Sequence, residues 1–189
     1  MSNEREPASL DAELSKARLG DRAALAVLVR AHQHSVYSLA LRMLGSREAA
    51  EDLAQDVFMQ LNANVKIIES SQHLAFWLRK VTTHRAIDHL RHRLRLQAQP
   101  LDEEALSLSV VDDADPLLHR HVANLLSQLS PPARAVVLLR YQEDLDPLDI
   151  ARTLDMPINT VKSHLKRSLD MLRSNTPGTD QTRCEGNLP

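Results

Sequence analysis

Apolar residues recur every three or four positions along most of this chain, which is the spacing of a helix face and not of a strand. The spacing is clearest within 11–44 and 46–61, and it returns at 74–96 and 116–173. Only 4 residues are Gly and 3% are aromatic, while Ala, Leu and Arg, which lose little side-chain freedom in a helix, are abundant. The chain is therefore predicted to be all-α.

Turn residues divide the first part of this pattern into separate helices. The stretch "LGD" at 19–21 predicts a helix end followed by a new helix whose N-cap is Asp21. Gly45 is predicted to end that helix, and Ser46 to cap the next. Residues 62–73 lack a helical period and are predicted to be a loop or irregular connection.

An acidic segment separates the chain into two predicted domains. Residues 97–116 have proline at both ends, a run of Asp and Glu, and no convincing period. We expect a flexible acidic linker here, between small helical domains at 10–96 and 117–173. Residues 174–189 are polar and contain both Gly and Pro, which predicts a mobile tail.

Several classes of protein are disfavoured by composition. The single cysteine, Cys184, excludes a disulfide within the chain, and the charged start "MSNEREPASL" has no apolar signal-peptide core. The longest apolar run, 23–29, is far too short to span a bilayer. These features predict a cytoplasmic protein without membrane insertion.

Histidine clusters at 32–34, 89–92 and 119–121 raise the question of a metal site. A zinc site needs four convergent ligands, usually including cysteine, and the only cysteine lies far away in the tail. We also find no nucleophile motif, phosphate-binding loop or HExxH sequence. The chain is predicted to use no metal or cofactor and not to be an enzyme.

A helix-turn-helix pattern lies near the end of the chain. Residues 148–154 and 157–173 are predicted to be two helices joined by a tight turn, with Pro157 in the first position of the second helix. Cations and hydroxyls on the outer side of that helix suit phosphates and guanine edges. A solvated basic face is the alternative, but the preceding helix, turn and apolar stripe favour DNA binding. The predicted contacts are Thr160, Lys162, Ser163, His164, Lys166 and Arg167.

The first domain pairs an acidic helix with a basic one. Asp52, Gln55 and Asp56 lie on one outer face, which suits a basic partner helix or is simply solvated. The helix at 76–95 is rich in Arg and Lys, which give phosphate contacts with little sequence information. Trp77 is predicted to belong to the core.

These motifs together resemble bacterial RNA polymerase sigma factors of the extracytoplasmic-function type. "DLAQDVF" (52–58) is similar to region 2.2 of that family, and "FWLRKVTTHRAIDHLRHR" (76–93) is similar to regions 2.3 and 2.4. The segment at 129–173 is similar to region 4. The resemblance implies a dissociable polymerase subunit that recognises promoters.

The family also implies roles for particular residues and partners. Asp52, Gln55 and Asp56 would grip the clamp helices of core RNA polymerase, while region 4 would bind the flap and read the −35 element. The −10 element of promoter DNA would be contacted by Lys80, His84, Asp88, Arg91 and Arg95. An anti-sigma factor is a further expected partner.

This chain departs from the family pattern at three positions. His84 stands where the family usually has Asn, and Asp155 and Asn159 stand where it often has Gly. Both Asp and Asn tolerate left-handed backbone, so we expect the turn to survive. Two other functions stay open at this point: a stand-alone helix-turn-helix regulator that binds operators as a dimer, and an adaptor that docks on polymerase without reading DNA.

Overall fold

The computed structural model describes residues 5–97 and 116–174, and side chains within 10–96 and 121–174. In these ranges every regular element is helical, which confirms the all-α prediction. The predicted linker and tail fall almost wholly on 98–115 and 175–189, outside the described residues. The elements are α1 (Arg5–Arg18), α2 (Arg22–Leu44), α3 (Arg47–Asn64), a 3₁₀ turn (Val65–Ile67), α4 (Ser71–Gln97), α5 (Pro116–Ser127), α6 (Pro131–Tyr141), α7 (Pro147–Thr153) and α8 (Ile158–Ser174).

The predicted helix boundaries at 19–21 and 45–46 are confirmed, with their caps. Asp21 accepts hydrogen bonds from the backbone N–H of Ala23 at 2.8 Å and of the following residue. Gly45 adopts a left-handed φ of 71°, and the Ser46 hydroxyl accepts from the Ala49 N–H at 3.3 Å. Local side-chain chemistry decides these boundaries, so they can be read from sequence.

The loop prediction at 62–73 is wrong in part. Helix α3 continues to Asn64, a 3₁₀ turn follows, and α4 already begins at Ser71. Val65 and Ile68 are buried in the core, so this connection is held tightly against the helices. Tertiary burial, which no local period reveals, compacts the segment.

The first lobe, α1–α4, is built around α2, which packs against the other three helices. Its fully buried side chains include Leu28, Leu39 and Met43 from α2 and Val57 from α3. Trp77 is half-buried and packs against this core. The core leaves the outer face of α3 at the surface, together with the part of α4 that carries Asp88, Arg91 and Arg95.

The second lobe, α5–α8, has α6 at its centre, in contact with α7 and α8. Val136, Leu139, Ile150 and Val161 are fully buried here. Helix α6 also contacts α2 and α4, and α7 contacts α4. The two lobes therefore pack against each other.

Candidate nucleic-acid and polymerase interfaces

The helix-turn-helix is formed by α7, a turn and α8. Asp146 caps α7 by accepting from the N–H groups of Leu148 and Asp149, both at 2.8 Å. Asp155 takes the left-handed conformation expected of it, with φ at 50°. Ile150 and Val161 are fully buried where α7 meets α8. The turn between α7 and α8 is thus set by the left-handed Asp155 and by the apolar contact between the two helices.

Two details of the predicted turn are wrong. Helix α8 begins at Ile158, so Pro157 precedes the helix, and its carbonyl accepts from the Val161 N–H at 3.2 Å. Asn159 lies inside α8 and does not adopt the left-handed backbone expected of it. Asp155 alone supplies the left-handed turn residue, so the second position needs no special backbone freedom.

The outer face of α8 carries the residues predicted to contact DNA. Val161 and Ser168 are buried on the inner face, which orients the rest of the helix outward. His164 is half-buried. The exposed members of the predicted set are Thr160, Lys162, Ser163, Lys166 and Arg167.

The acidic face of α3 is also at the surface. Asp52, Gln55 and Asp56 are all exposed. Asp56 lies 3.5 Å from the Arg85 guanidinium of α4, so one carboxylate is already opposite a cation. An open groove of about 700 Å³ runs beside this face, with Asp52 and Asp56 on one wall and His89 and His92 on the other. Burial and the nearby cation of Arg93 lower the pKa of His89.

The five residues predicted to contact the −10 element divide into two groups. Asp88, Arg91 and Arg95 are exposed, with Arg91 3.8 Å from Asp88. Lys80 and His84 are half-buried, because the second lobe lies against them. Their placement on one side of α4 follows from helical spacing, whereas their separation into open and covered groups depends on the tertiary structure.

Arg134 of α6 joins the lobes and was missed by sequence reasoning. Only 8% of its surface is exposed. Its Nη1 donates to the Met43 carbonyl at 2.6 Å, and its Nε donates to the Leu126 carbonyl at 2.8 Å. Burial and the charge of Arg93 lower its pKa. The available signal was an arginine within the apolar run "ARAVVLL", since a buried arginine needs acceptors.

Comparison with known families identifies both lobes. The family described as Sigma-70 region 2 matches residues 28–96, and that described as Sigma-70, region 4 matches residues 119–172. The chain belongs to the extracytoplasmic-function (ECF) sigma factors. A sigma factor directs RNA polymerase to promoters. The prediction that this chain is a sigma factor is therefore confirmed, in preference to a stand-alone regulator or an adaptor.

Relatives of known function support this assignment. The chain is 28% identical over 173 residues to the ECF RNA polymerase sigma factor SigW of Bacillus subtilis, covering 85% of this chain and 92% of SigW. It is 32% identical over 164 residues to the ECF sigma factor SigE of Mycolicibacterium smegmatis, covering 82% of this chain and 63% of SigE. The match to SigW spans both lobes.

Solved structures share the fold of this sigma factor. RpoE, in complex with the anti-sigma factor NepR from Bartonella quintana, has a TM-score of 0.64 at 21% identity, covering 81% of this chain and 94% of that one. CnrH, in complex with the cytosolic domain of CnrY, has a TM-score of 0.63 at 18% identity, covering 87% and 96%. The arrangement of helices is therefore that of known sigma factors.

The described residues contain neither a membrane-spanning helix nor a metal-binding cluster. Within 5–97 and 116–174, no helix is both long and apolar enough to cross a bilayer. The same part of the chain contains no cluster of three or more His, Cys, Asp or Glu side chains arranged to hold a metal ion.

Proposed function

We propose that this sigma factor divides its work between an anionic and two cationic surfaces. The outer face of α3, with Asp52, Gln55 and Asp56, binds the clamp helices of core polymerase. Helix α4 contacts the −10 element, and α8 contacts the −35 element. The supporting observation is that charged and amide side chains on the outer faces of α3 and α8 are exposed, opposite the apolar cores of their own lobes. They are Asp52, Gln55 and Asp56 on α3 and Lys162, Lys166 and Arg167 on α8.

Charge supports this division. A carboxylate-rich face repels DNA and attracts a basic protein surface, whereas Lys162 and Arg167 attract phosphates and can donate to guanine. The formal net charge of −2 indicates weak binding of DNA by the whole chain in the absence of polymerase. Specific recognition then depends on polymerase holding both cationic surfaces against one promoter.

The second lobe is proposed to bind the polymerase flap as well as DNA, and the chain is proposed to act in the cytoplasm without a catalytic step of its own. An anti-sigma factor is a proposed regulatory partner, because the similar sigma factor RpoE was solved with the anti-sigma factor NepR. These assignments rest on the family and on the two exposed, oppositely charged surfaces.

Transcription with purified core polymerase tests the proposal directly. The chain plus core should start transcripts at discrete promoters in genomic DNA, and sequencing the transcript ends should reveal shared −10 and −35 elements. Gel shifts without core should show only weak, salt-sensitive binding. Tight operator binding by the chain without core, with no effect of added core, would contradict the proposal.

The role of the acidic face can be tested separately with surface variants. Replacing Asp52 and Gln55 with Ala should weaken core affinity by on the order of 1 kcal/mol or more if they lie at the centre of the interface. Both residues are exposed, so the free energy of unfolding should change by less than about 0.5 kcal/mol. Gln33→Ala, an exposed amide on α2, is the matched control. Unchanged core affinity in the double variant would show that the face is only solvated.

A further inference from the structure

The turn of the helix-turn-helix lies against the proposed −10 surface of the other lobe. The Lys80 Nζ is 2.8 Å from the Asp155 carboxylate. The neighbouring His84 donates from Nε2 to the Thr153 carbonyl at 3.0 Å, and its ring lies 3.7 Å from the same carboxylate. Two side chains assigned to DNA thus contact an anion and a carbonyl of their own chain.

Other contacts between the lobes hold this arrangement in place. Arg134 donates across the boundary to the Met43 carbonyl, and Gln142 donates from Nε2 to the Ser38 hydroxyl at 3.2 Å. Glu143, near the start of the α6–α7 connection, lies 4.0 Å from Arg79 of α4. Because these contacts come from α6 and the residues just after it, the Asp155 turn is held in a defined position over α4.

We propose that the free chain is closed on itself, with Asp155 of the α7–α8 turn occupying Lys80 and His84 in place of a DNA phosphate. The inference rests on the proposed role of α4 at the −10 element. In the closed chain DNA can reach the outer face of α8, but Asp155 blocks its access to Lys80 and His84 on α4. Productive binding of α4 to DNA then requires the lobes to separate.

The ion pair between Asp155 and Lys80 is one that a DNA phosphate can replace. The Asp155 side chain is 60% exposed and Lys80 is 35% exposed, so water and salt screen their attraction. The hydrogen bond from Lys80 lowers the pKa of Asp155, so the carboxylate is charged at neutral pH. A DNA phosphate offers the same amine an equivalent anion, with counterion release as an added driving force.

Asp155 is suited to this position by its backbone as well as its charge. Its φ of 50° lies in the left-handed region, which favours Gly and tolerates Asp or Asn. A glycine at this site would form the turn but leave Lys80 unpaired. Asp155→Asn therefore removes the charge while retaining a residue that tolerates the turn.

Zero-length cross-linking tests closure without DNA. A carbodiimide adds to the Asp155 carboxyl to give an O-acylisourea, and the Lys80 amine attacks the acyl carbon and expels a urea. An amide joins the two residues, and the water that the protein loses is taken up by the carbodiimide in forming the urea. Mass spectrometry of the digested free chain should find peptides joined through these two residues. The joined peptides should be lost in Asp155→Asn and reduced by excess 30-base-pair random duplex. Their absence from the wild-type chain would overturn the inference.

DNA binding tests the masking role, with a control that has the same chemistry. Asp144 also has a left-handed φ, 51°, and its ion pair is with Arg140 of its own lobe. Asp155→Asn should tighten binding of the random duplex more than Asp144→Asn does. For Asp155→Asn, the slope of log association constant against log salt concentration should be steeper than the wild-type slope by about 0.9. That difference is the contribution of one added phosphate contact.

A second substitution separates unmasking from a general change in charge. Adding Lys80→Gln to Asp155→Asn should return the salt slope to the wild-type value, because the released amine is gone. Equal effects of Asp155→Asn and Asp144→Asn would overturn the masking role. Wild-type transcription with core, measured alongside, reports on the proposed function alone, so the two failures are distinguishable.

Discussion

Replacing Arg134 with Leu should lower the free energy of unfolding by about 2–5 kcal/mol. The guanidinium donates to the Met43 carbonyl at 2.6 Å and to the Leu126 carbonyl at 2.8 Å. Both carbonyls lie in the last turns of helices, α2 ending at Leu44 and α5 at Ser127, where intrahelical N–H partners run out. The Leu126 carbonyl also accepts from the Leu129 N–H at 3.1 Å, so the Met43 carbonyl depends more on the guanidinium.

The magnitude follows from these two bonds. A hydrogen bond to a charged group contributes about 1.5–3 kcal/mol, and the negative ends of two helices add to the attraction. Leucine recovers about 1 kcal/mol by burying apolar surface at a site that is 8% exposed, which lowers the expected loss from about 3–6 to about 2–5 kcal/mol. Against a total stability of about 5–15 kcal/mol, this loss is large.

Urea unfolding followed by circular dichroism at 222 nm measures the effect. Arg134→Lys keeps a cation, but its single ammonium nitrogen cannot reach both carbonyls as the guanidinium fork does. Its loss of unfolding free energy should therefore be about half that of Arg134→Leu. Arg140→Leu is the control within the same helix, since Arg140 donates to the Leu145 carbonyl at 3.0 Å and is only half-buried. A loss below about 1 kcal/mol in Arg134→Leu would refute the reasoning, because it would mean that the two carbonyls do not depend on the guanidinium.

Two further predictions concern α8 and α2. Arg167→Ala should weaken recognition of promoters with a −35 element by about 1–3 kcal/mol if Arg167 reads a base, and an unchanged −35 dependence in transcription assays would remove it from the interface. Burial and the nearby Arg79 lower the pKa of His32 below its usual 6.5. Its neutral form is therefore favoured in the folded chain, so the unfolding free energy should fall as pH drops below about 6.5. His32→Gln should flatten that fall between pH 7.5 and 5.5, and an identical pH dependence in both chains would contradict the assignment.

Local chemistry and helical spacing account for what the sequence by itself determined. The caps at Asp21 and Ser46 and the end at Gly45 depend on side chains within a few residues, so they were predictable. The exposed positions of Asp52 and Arg167 follow from the period of 3.6 residues, because each helix has one apolar face that must be buried.

Only the tertiary structure decided what lies against those faces. Periodicity places Lys80 and His84 on one side of α4, but it carries no information about the segment 75 residues later that supplies Asp155. Helical periodicity alone would place Arg134 on an exposed face of α6. It is buried because two carbonyl acceptors, one on each of two other helices, lie within its reach. The compact connection at 62–73 has the same origin, since the burial of Ile68 is a contact between distant parts of the chain. Helix positions are local properties, whereas the contact between Asp155 and Lys80 and the burial of Arg134 depend on how the lobes are packed.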